Sequence, residues 1–142
     1  MGQRRLAREF SLQALYLADI GCLNEQELFA AIEHADTDLD EESLSFARSL
    51  ISGTLSNLNT IDSAIQECAK NWRIGRMPVI DKCILRLGVY EILVSAQVPP
   101  IAVIDEDIEL AKKYSTENSG RFINGILDRI REKGTAAGDT PK

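Results

Sequence analysis

Ile104-Asp105-Glu106-Asp107-Ile108-Glu109-Leu110-Ala111-Lys112-Lys113-Tyr114 runs, after a short polar turn, into Ser119-Gly120-Arg121-Phe122-Ile123-Asn124-Gly125-Ile126-Leu127. Apolar residues return every three or four positions in both stretches, so each is an amphipathic helix. Thr116-Glu117 supplies an N-cap and a first-turn acid for the second helix. That helix carries Gly120 and Gly125, and a helical glycine costs about 1 kcal/mol against alanine. Close approach by another backbone or by a nucleic-acid strand is the reason such a cost is tolerated.

The same period extends along nearly the whole chain. Leu6, Phe10, Ala14 and Leu17, widened by Leu12 and Leu15, form a first helix that stops at Gly21. A short helix covers Glu25 to Glu33, and residues 36–40 read as an acidic loop. A long helix from about Glu41 places Leu44, Ala47, Leu50, Ile51, Thr54, Leu55 and Leu58 on one stripe. Thr60 then caps a helix bearing Ile61, Ala64, Ile65, Cys68 and Trp72. Pro78 suits a helix's first turn, and the residues from Val79 to Val94 are apolar nearly all round, as in a central buried helix. Pro99-Pro100 ends one element and starts the next. The tail, 134–142, has few anchors and is expected to be disordered. The pattern predicts an all-α fold of about seven helices.

At 142 residues, 44% apolar and 27% charged, the chain is expected to be one soluble domain without a membrane span or export signal. Cys22, Cys68 and Cys83 are odd in number and widely spaced, and His34 stands alone. Neither a disulfide framework nor a zinc site follows, and the expected compartment is the cytoplasm. No cofactor or metal is expected. The acids Asp105, Glu106, Asp107 and Glu109 read as first-turn residues meeting the helix dipole, not as a catalytic pair. With no phosphate loop and no nucleophile–base pairing, the chain reads as a non-enzyme.

The net charge of −6 is unevenly placed. Nine acids and no Lys or Arg lie between Asp19 and Ala47, whereas the span from Lys112 to Lys133 holds six bases against three acids. Arg4, Arg5 and Arg8 crowd the start, so a basic face can be assembled from the two termini. On the last helix Ile123, Ile126, Leu127 and Ile130 share a face, with Phe122 at its margin beside Asn118, Gly125 and Arg129. Phe122 either completes the core or stacks an unpaired base, and Tyr114 carries the same two alternatives. Arginines 73 and 76, near Asn71 and Trp72, meet the negative end of a helix dipole. Asp81, Arg86 and Glu91 are charges in an apolar segment, and a protein partner is the alternative to a loose pairing among them.

Several pieces resemble, in order and spacing, the NusB transcription antitermination factors. They are Ala7-Arg8-Glu9 through Gln13-Ala14-Leu15-Tyr16, then Asn71-Trp72-Arg73 to Arg76, then Ile84-Leu85-Arg86-Leu87 with Tyr90-Glu91. Glu109-Leu110-Ala111-Lys112 and Gly120-Arg121-Phe122-Ile123-Asn124-Gly125-Ile126-Leu127-Asp128 complete the set. The resemblance implies two packed helical bundles, an N-terminal one at about 1–72 and a C-terminal one at about 77–133. It further implies binding of boxA-type RNA of ribosomal RNA transcripts, with the small-subunit ribosomal protein NusE, in the RNA polymerase antitermination complex. The RNA-contacting positions map onto Arg4, Arg5, Arg8, Tyr114, Asn118, Arg121 and Phe122, and the ribosomal-protein face onto Tyr16, Asp81, Arg86 and Glu91. Family members usually carry Asn at the place of Asp105 and a small residue at that of Asp107. The added charge weakens RNA binding if this helix start faces the strand. The alternatives are a helical adaptor, a homodimer that masks its own RNA surface, or a stand-alone RNA-directing domain like those of ribosomal RNA methyltransferases. A methyltransferase reading needs its catalytic domain in trans, and the sequence leaves monomer and homodimer open.

Overall fold

The segment that is apolar on every side stands at the centre. Helix α5 (Val79–Val89) continues as a wider π-helical stretch, Tyr90–Ser95. Its Cys83, Ile84, Leu85, Leu87 and Val89 are almost entirely removed from water. Around it pack α1 (Gln3–Gly21), α4 (Leu58–Cys68), α6 (Pro100–Tyr114) and α7 (Glu117–Asp139). Helix α3 (Glu41–Ser56) lies along α1, and α2 (Glu25–Ile32) covers α1 through Leu28. This computed structural model describes residues 2–33, 35 and 37–139, and the described residues contain seven α-helices and no strand. The main apolar cluster runs from Leu12 and Leu15 through Ile61 and Ile65 to Ile123 and Leu127. Each fully buried Leu or Ile contributes about 1.5–3 kcal/mol relative to exposure.

Local chemistry sets the helix ends. Asn24 and Glu27 form a reciprocal capping box at the start of α2, and the Asp40 carboxylate accepts the Ser43 N–H at 2.8 Å to open α3. Pro99 and Pro100 start α6, as the sequence indicates.

Three expectations are corrected. Helix α4 starts at Leu58, with Asn57 and not Thr60 at its cap. It ends at Cys68, so Trp72 sits beyond it in a turn. The Gln66 side chain folds this turn back, donating to the Trp72 carbonyl at 2.7 Å and accepting the Ile74 N–H at 2.9 Å. Asp105, Glu106, Asp107 and Glu109 fall past the first turn of α6 and so do not meet its dipole; Glu106 pairs with Arg5, Asp107 is buried, and Asp105 is exposed. Helix α7 is drawn as far as Asp139. His34 and residues 140–142 lie outside the described residues.

Candidate nucleic-acid interface

Long side chains of α1 and α6 reach across to one another and pair their charges. Arg5 donates from Nε and Nη2 to the two Glu106 oxygens at 2.8 and 3.0 Å. Arg8 donates in the same forked manner to Glu91, both bonds at 2.9 Å, and these side chains are only 6% and 3% exposed. Burial opposes the Arg8 charge, but the bonds to Glu91 and its negative charge outweigh that and hold the guanidinium protonated. Arg8 is therefore not presented to a strand, and Glu91 is not presented to a protein partner. The two residues assigned to different surfaces satisfy each other inside the fold. Arg4 remains exposed, its guanidinium 3.9 Å from the centroid of the Phe46 ring.

Asp107 lies beside this pair, 1% exposed, with Oδ2 lacking a hydrogen-bond partner. It fits because residue 88 is glycine; a Cβ there would overlap that oxygen. Burial first, and then the negative charge of Glu91, push its carboxyl well above the usual carboxylate range, with Glu106 adding to the rise and Arg8 opposing it. Being buried, Asp107 adds no charge to an RNA-facing surface; Asp105 is the exposed acid. The folded chain holds a proton here that the unfolded chain releases near about pH 4. Stability from this group is thus greatest at low pH and is lost as pH rises through the unfolded and then the folded value. Asp107→Ala is expected to stabilise the protein by about 1–3 kcal/mol at about pH 8 and by less at about pH 5 in urea unfolding. An equal effect at both pH values would show that the carboxyl titrates normally.

Glu9 organises the junction of α6 with the following turn. Lys113 Nζ and the Tyr114 hydroxyl donate to its Oε1 at 2.9 and 3.1 Å, and Gln13 donates to the Tyr114 hydroxyl at 3.3 Å. Burial, then the Glu9 charge, raise the Tyr114 pKa. Tyr114 packs its ring against the core and sets its hydroxyl in this network, which makes it a core-edge residue next to Lys113. Asp81, 3% exposed, accepts Ser115 Oγ and Ser119 Oγ, each at 2.8 Å, and so holds the turn to α5. It too is removed from the partner surface assigned to it. Thr116 Oγ1 accepts the Ser119 N–H at 3.0 Å, giving α7 the cap its sequence indicates.

On α7 the helical phasing holds: Ile123, Ile126, Leu127 and Ile130 are buried, Phe122 is half-buried, and Asn118 and Arg121 are exposed. Phe122 meets Trp72 edge to face, with ring centroids 5.8 Å apart and an angle of 68°. The pair borders a groove of about 640 Å³ between the turn after α4 and α7, flanked by Lys70, Arg121, Arg129 and Lys133. Packing does not require either helical glycine. A Cβ at Gly120 would make ordinary contact with Ile108, and one at Gly125 would enter open space in the groove. Sequence reasoning left Trp72 inside a helix stripe; a lone tryptophan between Asn71 and Arg73 was the signal available. Cys22 is exposed, whereas Cys68 and Cys83 are buried, and burial pushes the Cys83 thiol up to about 12.

A second exposed feature lies on α1, where Tyr16, Leu17 and Ile20 are 40, 41 and 58% exposed. Beneath it Arg86 bridges Asp62, at 2.8 and 2.9 Å, and Asp19, at 3.2 Å, while Lys82 reaches Asp19 at 3.1 Å. Arg86 is thus anchored between α1, α4 and α5 and only its edge reaches the surface.

An all-helical chain that offers an aromatic and basic groove on one side and an apolar stripe on α1 is built as a helical binding protein. The family model for NusB matches residues 5–132, and the chain belongs to the NusB family of transcription antitermination proteins. It is 48% identical over 134 residues to the transcription antitermination protein NusB of Elusimicrobium minutum, covering 94% of this chain and 96% of the relative. With the NusB of Geobacter sulfurreducens it shares 43% identity over 130 residues, 92% and 94% of the two chains. The solved structure of T. maritima NusB is similar at a TM-score of 0.81 and 38% identity, covering 94% of this chain and 92% of that one. A chain from a crystal structure of antitermination factors NusB and NusE in complex with dsRNA matches at a TM-score of 0.83 and 29% identity, covering 92% and 97%.

Proposed function

We propose that this protein is a transcription antitermination factor that holds boxA-type single-stranded RNA of ribosomal RNA transcripts together with the ribosomal protein NusE. It delivers both to the RNA polymerase antitermination complex in the cytoplasm. The observation that carries this reading is the Phe122–Trp72 pair, half open to solvent and bordered by Asn118, Arg121 and Arg129. Rings of this kind stack unpaired bases, and the guanidiniums beside them lower the cost of approaching phosphates. Of the N-terminal arginines, Arg4 and Arg5 are the ones assigned to the strand, Arg5 by exchanging part of its Glu106 pairing for phosphate. Tyr16 with Leu17 and Ile20 is the face assigned to NusE, with Arg86 at its edge. The mechanism is scaffolding: two ligands on one rigid helical body raise each other's affinity by linkage.

Titration of boxA-type and scrambled RNA at two salt concentrations, with and without NusE, tests this. The expected result is preference for boxA, a steep loss of affinity with salt, and tighter binding with NusE. Equal, weak binding of both RNAs in every condition would contradict it. The exposed Leu93 and Val94, each 40%, favour self-association as the second reading, which a mass measurement in solution with and without RNA decides.

A further inference from the structure

A groove of about 880 Å³ opens between α2 and α3, lined by five large apolar side chains, Phe10, Phe29, Ile32, Leu44 and Tyr90. Each is only half-buried, so the groove holds a strip of apolar surface that the core leaves in water. Gly53 makes the floor aromatic: a Cβ there would overlap the Tyr90 ring, and its absence lets the ring lie against α3. At one end Glu25 ties the two helices together, accepting Ser52 Oγ at 3.1 Å and Ser56 Oγ at 3.5 Å. Glu33 lines the groove itself, and Glu41 precedes Ser45 by one turn on the α3 wall. The surrounding stretch, Asp19 to Ala47, has nine acids and no Lys or Arg. The sole Lys or Arg between Asp19 and Lys70 is Arg48, which stands in the α3 wall and makes no ion pair among the described residues.

We propose that this groove docks an amphipathic helix of a protein partner, with apolar residues toward Phe29 and Tyr90 and Lys or Arg along its flanks. Charge decides the class of occupant. The acids on the rim repel a phosphate backbone and attract a basic segment. A second copy laid on the same face by a two-fold axis would set these acids against their own kind. Length decides the form: from Leu44 to Gly53 the α3 wall spans roughly 14 Å, room for about two to three helical turns. Apolar anchors at i, i+3 or i+4, and i+7 of such a helix face the aromatic floor. Arg48, midway along that wall, is the place for a single acid on the incoming helix.

The probe is a fluorescein-labelled Leu/Lys peptide of roughly 14 residues, amphipathic as a helix, with one central Glu. Its anisotropy is expected to rise on titration with the full chain, with amide shifts on residues 29–33 and 44–53 and on Tyr90. A scrambled peptide of the same composition, which has no apolar face, is expected to bind about tenfold more weakly, and a Leu/Glu counterpart more weakly still. Ser49→Trp, a change at an exposed position of the α3 wall, fills the groove and is expected to abolish the shifts at a near-parental melting temperature. Glu33→Lys is expected to weaken binding about 2- to 5-fold, and by less at high salt. Equal binding of the scrambled peptide, stronger binding of the acidic one, or unchanged binding to the Ser49→Trp variant would overturn the proposal. Shifts on the Tyr16–Ile20 stripe of α1 instead would assign the helix to that face and overturn it too. Self-association in solution that Ser49→Trp abolishes would give the groove to a second copy and equally overturn it. The RNA titration uses other residues, so failure here leaves the RNA-binding reading intact.

Discussion

Arg8→Ala destabilises the protein by about 3–5 kcal/mol, the usual cost of breaking a buried ion pair from one side. With a total stability of about 5–15 kcal/mol for a domain, this is the most damaging single change that the site residues offer. The reason is specific to the surroundings. Removing Arg8 leaves Glu91, 3% exposed, without the guanidinium that satisfies both its oxygens, and with the Asp107 carboxyl close by. Replacing both partners, as in Arg8→Met with Glu91→Leu, removes the stranded charge and is expected to recover most of the loss. Urea unfolding of the two single variants and the double variant checks this cycle. A loss below about 1 kcal/mol for Arg8→Ala, accompanied by a shallower salt dependence of RNA binding, would return Arg8 to the strand-facing surface.

Phe122→Ala weakens RNA binding by about 1–3 kcal/mol, the usual effect of removing one stacking platform. Phe122 also packs against the main apolar cluster, so truncation alone mixes two losses. Phe122→Leu separates them: it fills nearly the same volume against the core but offers no ring. The expected pattern is a near-native melting temperature and weak binding for the leucine variant, and near-native binding for Phe122→Tyr. If the leucine variant binds as tightly as the parent, Phe122 is a packing residue and the base is held elsewhere.

The parts of this site that follow helical phasing were legible in the sequence, and those that depend on distant partners were not. The buried face of α7, the marginal place of Phe122, the Thr116 cap and the central position of α5 all follow from spacing over a few turns. Arg8 and Glu91 lie 83 residues apart, and a stripe of periodic residues carries no information about such a pairing. From the sequence, each looked like a surface charge. Asp81 misled in the same way, since a carboxyl in an apolar helix reads as a charge for a partner until the serines that hold it are known, and Asp107, read as a first-turn acid, is buried against Gly88. Trp72 was missed for a local reason. The apolar period of α4 continues to it, but three hydrogen bonds to the Gln66 side chain end the helix first, and side-chain capture of backbone has no periodic signature.

The central claim is that one face, built from the start of α1, the α6–α7 junction and the turn after α4, receives RNA. Mapping backbone amide shifts during titration with boxA-type RNA tests it most directly. The expected perturbations fall on Arg4 and Arg5, on Lys113 to Gly125, and on Lys70 to Arg76. The acidic stretch from Asp19 to Glu33, away from the start of α1, should stay unchanged. Perturbations confined to that acidic stretch, or to the Tyr16–Ile20 face of α1 alone, would contradict it.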